Sequence, residues 1–211
     1  MRSFKYLIYA GLLAAAISPA MADEGEKIYK QGGSQPGALA CVTCHMPDGK
    51  GMDAGGFPKI AGDSAVYLSK QIHDFKKGLR ENAIMLPIAS ALTEEEIKAV
   101  TQYMSSLDKV QVPEITRAKT PEGLGEQLAI RGDWSRSIPE CVACHGPGGV
   151  GVGDTFPPLA GQGAKYLATQ LHAWQQGTRK NDQNDLMGHI ARSLTEEEII
   201  AVADYFAGLG K

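Results

Sequence analysis

Five residues occur twice in the 211-residue chain in an arrangement that can do chemistry: Cys41-Val42-Thr43-Cys44-His45 and Cys141-Val142-Ala143-Cys144-His145. Two thiols separated by two residues and followed at once by an imidazole form the attachment site of a c-type haem. The thiols add to the two porphyrin vinyl groups as thioethers, and the histidine becomes the proximal ligand of the iron. One turn of chain presents both sulfurs along one porphyrin edge. The 4 cysteines all fall in these motifs, so none is left over. A redox-active dithiol would not need the histidine twice, and a zinc site needs four closing ligands per metal. The expected cofactors are two covalently bound haem c groups, held by Cys41, Cys44 and His45 and by Cys141, Cys144 and His145.

The sixth iron ligand decides between electron transfer and chemistry. A methionine or histidine there closes the site, and the axial pair helps set a potential over a range of about 0.8 V. An open position permits ligand binding or catalysis. Met187 is the only methionine of the second half, and it stands seven residues before Leu194, just as Met85 stands seven before Leu92. This shared register makes Met85 and Met187 the expected ligands. Met46 follows the proximal histidine too closely to reach the far face, Met52 lies in a Gly-rich loop, and Met104 sits on an apolar stripe. His73 and His172 also correspond, so a bis-histidine alternative stays open. They could instead bond a haem propionate or line the contact between lobes. His189 has Pro87 in its place in the first half and reads as a surface or supporting residue. Each proximal imidazole needs an oxygen for its other ring N–H, and the Pro58 and Pro157 carbonyls are the candidates.

The elements that must position these groups repeat once. Gly25-Glu26 returns as Gly125-Glu126 and Cys41 as Cys141, both shifted by 100. The stretch from Phe57 to Gly62 returns from Phe156 to Gly161, shifted by 99, and the six residues from Leu92 to Ile97 recur identically at 194–199. Two lobes follow, at 23–108 and 121–211, joined by a linker at 109–120 that holds Pro113 and shows no period. A lobe this small has little core of its own, so a buried haem supplies much of the apolar contact.

Each lobe reads as helices and loops, with no window that alternates as a strand does, so the fold class is all-α. A first helix is expected over Asp23 to Gln31, and its partner over Glu122 to Arg131 after a Thr120 cap and Pro121. Leu68, Ile72, Phe75 and Leu79 mark the next helix, mirrored by Leu167, Leu171 and Trp174, with Gly78 and Gly177 as stops. The last helix opens on a capping-box pair, Thr93 with Glu96 and Thr195 with Glu198. Its stripe is Ile97, Val100, Met104 and Leu107, then Ile199, Val202, Phe206 and Leu209. Gly25 and Gly125 allow the first and last helices to cross closely, with Tyr29 near Tyr103; Ala129 replaces Tyr29, so that contact should differ between lobes.

Lys+Arg 21 against Asp+Glu 24, with no basic tract, argues against nucleic acid as a partner. Arg2 and Lys5, an apolar run from Leu7 to Ile17 and Ala20-Met21-Ala22 read as a secretory signal peptide, 1–22, cleaved after Ala22. The run falls short of the roughly 20 residues a membrane span needs. Removing 1–22 leaves 19 basic against 24 acidic side chains, or −5. Covalent haem attachment takes place outside the cytoplasm, so a periplasmic location is expected, with the membrane met only by peripheral docking.

On both haem motifs, the Phe-Pro-x-(Ile/Leu)-Ala-Gly turns, the Tyr-Leu-x-x-Gln helices and Met85 and Met187, residues 23–211 resemble the dihaem cytochrome c4 family, two class I cytochrome c domains in tandem. The resemblance implies low-spin haems ligated by His45 with Met85 and His145 with Met187, facing each other across a pseudo-twofold interface. It also implies electron transfer between respiratory redox proteins, towards a membrane-bound terminal oxidase, with no catalytic residues and no small-molecule substrate. His73, His172 and His189 depart from the family pattern. Two other readings are the electron-accepting dihaem subunit of a sulfur-oxidising dehydrogenase and a dihaem peroxidase. The second needs a vacant or displaceable sixth position.

Overall fold

The computed structural model describes residues 19–112 and 120–210. Arg2, Lys5 and the apolar run of the expected signal, and Pro113 of the expected linker, lie outside the described residues. Five helices form the first lobe: α1 (Pro19–Gln31), α2 (Val42–His45), α3 (Ala65–Lys76), α4 (Met85–Ala91) and α5 (Glu94–Ser106). Five more repeat the plan: α6 (Leu124–Ile130), α7 (Cys141–His145), α8 (Ala164–Gln175), α9 (Leu186–Ser193) and α10 (Glu196–Gly208). Among the described residues there are isolated β-bridges and no strand, so the fold is all-α.

In each lobe the first helix lies across the last. Glycine makes the approach possible: a Cβ at Gly25 would overlap the Ala99 carbonyl oxygen, and one at Gly125 the Ala201 carbonyl oxygen. Apolar side chains close around the crossing, Ile28, Tyr29, Ile97 and Val100 in the first lobe and Ala129, Ile130, Val202 and Phe206 in the second. Both capping boxes form. Thr93 accepts from the Glu96 N–H at 3.2 Å and Glu96 from the Thr93 N–H at 2.9 Å. The matching distances for Thr195 and Glu198 are 3.3 and 2.8 Å.

Three expectations need correction. The partner of the first helix does not start at Glu122 behind Thr120 and Pro121. It starts at Leu124 after an extended Gly123, because the Glu126 carboxylate reaches back to accept the Glu122 N–H at 2.7 Å. Leu107 and Leu209 are not on their helices but cap them in extended conformation, each N–H bonding the carbonyl three residues back. Leu79 lies past the end of α3 and is exposed. In addition, α1 begins at Pro19, so 19–22 are helical and continuous with the start expected for the mature chain.

Gly78 and Gly177 do stop α3 and α8, with φ of 67° and 70°. At each, the second and third residues after the helix bond back to its last turn, Gly78 to Phe75 and Leu79 to Asp74, Gly177 to Trp174 and Thr178 to Ala173. This is the Schellman arrangement. Its effect here is to throw each chain onto the opposite lobe. The Glu81 N–H donates to the Thr178 carbonyl and the Lys180 N–H to the Leu79 carbonyl, both at 2.8 Å, which pairs Arg80 with Arg179 in an antiparallel bridge.

Candidate functional site

Each Cys-x-x-Cys-His motif winds into its own short helix, α2 or α7, which stops right after the histidine. The stop is a left-handed residue, Gly146 at φ 80° in the second lobe but Met46 at φ 65° and ψ 161° in the first. That region is close to glycine-only and costs a side-chain-bearing residue about 1–3 kcal/mol. Tyr29 holds it: its hydroxyl donates to the Met46 carbonyl at 2.5 Å and lies 3.3 Å from that of His45. The ring also tilts against Tyr103 at 5.4 Å. Where the stop is a glycine no such clamp is needed, and Ala129 stands in Tyr29's place.

Both proximal imidazoles are buried and fixed by the proline turns. His45 Nδ1 lies 2.9 Å from the Pro58 carbonyl oxygen and His145 Nδ1 lies 2.7 Å from that of Pro157. A carbonyl can only accept, so Nδ1 carries the proton and Nε2 keeps its lone pair for a metal. Burial pushes both imidazoles below the ordinary histidine value, and the carbonyl bonds oppose it in part. The thiols are free of disulfides. Burial pushes Cys41 up to about 11 and Cys141 up to about 12, the reverse of the low-pKa thiolates of dithiol oxidoreductases. Among the described residues no group of three or more His, Cys, Asp and Glu is gathered to hold a metal ion, so the four-ligand zinc reading has no site there.

One cavity of about 1040 Å³ runs between the lobes, lined by both motifs, both proline turns, Met85 and Met187. A single small-molecule pocket spans roughly 300–1,000 Å³, so this one lies at the top of that range, and both motifs share it. Met85 opens α4, its N–H bonded to the Asn82 side chain at 2.9 Å. Met187 lies in the first turn of α9, where Asp182 accepts from the Gly188 N–H at 3.0 Å and from the Trp174 indole at 2.9 Å. Met104 is buried on the cavity wall and Met52 is exposed. His73 bonds the Ser69 carbonyl through Nδ1 at 2.7 Å and Glu94 through Nε2 at 2.7 Å. His172 is placed likewise, near Gln175 at 3.3 Å and Glu196 at 3.4 Å. In these positions the two rings clasp α3 to α5 and α8 to α10. His189 is exposed on α9.

Sequence reasoning missed Arg80 and Arg179. Both are 6% exposed on the cavity wall. Arg80 donates to Gln71 at 3.0 Å, to Tyr166 at 2.6 Å and to Gln170 at 2.8 Å. Arg179 donates to Gln170 at 2.8 Å and to Gln71 at 3.2 Å, and stacks on Trp174 at 3.9 Å. Burial, then repulsion from Arg80, holds Arg179 below its ordinary value. Neither is paired with a carboxylate among the described residues. Two buried cations without a carboxylate partner, on a wall that is mostly apolar elsewhere, suit a ligand that is apolar at one edge and carries carboxylates at the other, as a haem does. The residues present therefore fit two haems.

The Cytochrome c family profile matches residues 22–108 and again 136–210. A thiosulfate dehydrogenase electron acceptor from Stutzerimonas stutzeri (strain A1501) is 55% identical over 203 residues, covering 96% of this chain and 94% of that protein. Among solved structures, reduced recombinant cytochrome c4 from Pseudomonas stutzeri superposes with a TM-score of 0.73 at 32% identity, over 89% of this chain and 98% of that one. Thiosulfate dehydrogenase (TsdBA) from Marichromatium purpuratum, as isolated, superposes with a TM-score of 0.80 at 41% identity; the match covers 89% of this chain but 40% of that one.

Proposed function

Because this chain belongs to the cytochrome c family and is a dihaem, cytochrome c4-like electron carrier, we propose that it takes electrons in the periplasm from a thiosulfate-oxidising dehydrogenase. It then hands them to a membrane-bound respiratory complex. Its cofactors are two covalently bound haem c groups, and its partners are redox proteins. What favours the thiosulfate branch is the 55% identity, over nearly the whole chain, to an electron acceptor of that enzyme. The N-terminal signal directs export, and among the described residues no helix is long and apolar enough to cross a membrane.

The haem supplies the one-electron couple when bound; the chain's own residues hold and tune it. Cys41, Cys44, Cys141 and Cys144 form the thioethers, and His45 and His145 offer Nε2 to the iron while the proline carbonyls fix their rings. Met85 and Met187, both on the cavity wall, would supply the remaining iron ligands, an arrangement suited to electron transfer rather than to substrate turnover. Arg80 and Arg179, buried at the lobe boundary, would offer positive charge to the haem carboxylates.

The test is to mix the ferric dihaem protein with thiosulfate and a purified thiosulfate dehydrogenase. Reduction of both haems at a rate set by the enzyme is expected. Haems that stay ferric there, yet are reduced by another respiratory donor, would remove the thiosulfate assignment. Peroxide turnover by the reduced protein would point to an enzyme.

A further inference from the structure

Asp63 and Gln162 hold the same place in the two lobes, each following an Ala-Gly turn. Gln162 uses both ends of its amide on the opposite lobe. Its Oε1 accepts from the Lys59 N–H and its Nε2 donates to the Lys59 carbonyl, both at 2.8 Å. The residue matching Lys59 in the second lobe is Pro158, which has no N–H to give. The pseudo-twofold is therefore broken chemically, and Asp63 has no equivalent donor across the boundary. Asp63 is 6% exposed, its Oδ1 is buried with no hydrogen-bond partner, and it lines the cavity that the first haem motif of its own lobe also lines.

We propose that Asp63 is a redox-linked proton site of the N-terminal haem, protonated when that haem is reduced and ionised when it is oxidised. An ionised carboxylate with an unsatisfied buried oxygen is costly. The net positive charge of the ferric iron offsets that cost, and reduction removes the offset. On reduction the ferric haem gains one electron from its redox-protein donor and the carboxylate gains one proton from solvent, forming an O–H bond. Oxidation sends the electron to the acceptor and the proton back to solvent.

The charges that face Asp63 are Lys59 from its own turn and Lys109 from the segment after α5, which lies over Gly62. The second lobe presents the neutral Gln162. Burial outweighs both lysines and pushes the carboxyl up to about 6. Negative porphyrin carboxylates add to the same direction. In the second lobe Gln162 cannot titrate, so the two haems respond differently to pH.

The inference rests on the electron-carrier reading. Its test is a spectroelectrochemical titration of the whole dihaem protein between about pH 5 and 8. One of two reversible waves is expected to move, by up to tenfold in its reduction constant per pH unit, or about 59 mV, while the other stays level. Asp63→Asn and Asp63→Gln should each level the moving wave. In the unsubstituted protein, a redox-difference infrared spectrum should show a protonated carboxyl C=O band in the reduced form only. Two reversible waves that do not move, or a moving wave unchanged by both substitutions, overturn this proposal alone and, in the second case, assign the proton to a porphyrin carboxylate. No reversible wave overturns the electron-carrier reading with it.

Discussion

Arg80 and Arg179 face each other across the lobe boundary, and each guanidinium crosses it, Arg80 to Gln170 at 2.8 Å and Arg179 to Gln71 at 3.2 Å. Each glutamine also binds the arginine of its own lobe, so two cations share two amide oxygens. Replacing either arginine by methionine keeps much of the apolar stem but leaves each glutamine oxygen one charged donor fewer and removes a bond across the boundary, and a hydrogen bond from a charged group contributes about 1.5–3 kcal/mol. The expected outcome is a lower midpoint in urea and a split of one unfolding transition into two, followed by far-UV circular dichroism alongside haem absorbance.

At Gly25 and Gly125 the usual sign of a helix substitution reverses. Glycine to alanine in a helix interior ordinarily gains about 1 kcal/mol. Here the added carbon overlaps a carbonyl oxygen of the facing helix, and overpacking of this kind costs about 1–3 kcal/mol. Gly25→Ala and Gly125→Ala should each lower stability in chemical denaturation. Gly208→Ala in α10, where a Cβ would meet nothing within 4 Å, should leave it unchanged or raise it.

Met85→Ala and Met187→Ala each remove a thioether from the cavity wall. Each variant should lose half of the weak long-wavelength band of Met–ferric ligation, lower one haem potential and let added imidazole bind one iron. Optical titration checks all three. Spectra and potentials unchanged in both variants would remove the methionines from the ligand set.

The reading of the chain succeeded where the information is local or doubled. The haem motifs, the capping boxes, the Pro58 and Pro157 carbonyls and the Gly25 and Gly125 crossings all follow from short patterns seen twice. Thr120-Pro121 failed as a helix start because a residue inside the helix, Glu126, served the free N–H groups better. The arginine pair and the grip of Gln162 on Lys59 were out of reach because they depend on how one lobe faces the other. A faint signal existed: Gly78-Leu79-Arg80 returns as Gly177-Thr178-Arg179, with an arginine just past each helix stop.

Glu198 carries a pH dependence whose direction is fixed. Hydrogen bonds from Arg136, ahead of smaller contributions from Thr195, hold its carboxyl below the ordinary value. A depressed native value means the stabilisation is present above the unfolded value, about 4.3, and is lost as pH falls through the native one. Glu198→Gln keeps the capping geometry but removes the charge. Its stability should be lower than that of the unsubstituted protein at neutral pH, and the gap should close below about pH 4, as read from denaturant midpoints across the acid range.

The two main-chain hydrogen bonds that join the lobes, Glu81 to Thr178 and Lys180 to Leu79, are made by neutral amides. Dissolved ions screen charge against charge and leave such pairs nearly untouched. This main-chain seam is thereby insulated from ionic strength, whereas encounter with a partner, guided by net surface charge, is not. Electrolyte can loosen the protein from one docking site and admit it to another while this seam between the lobes holds.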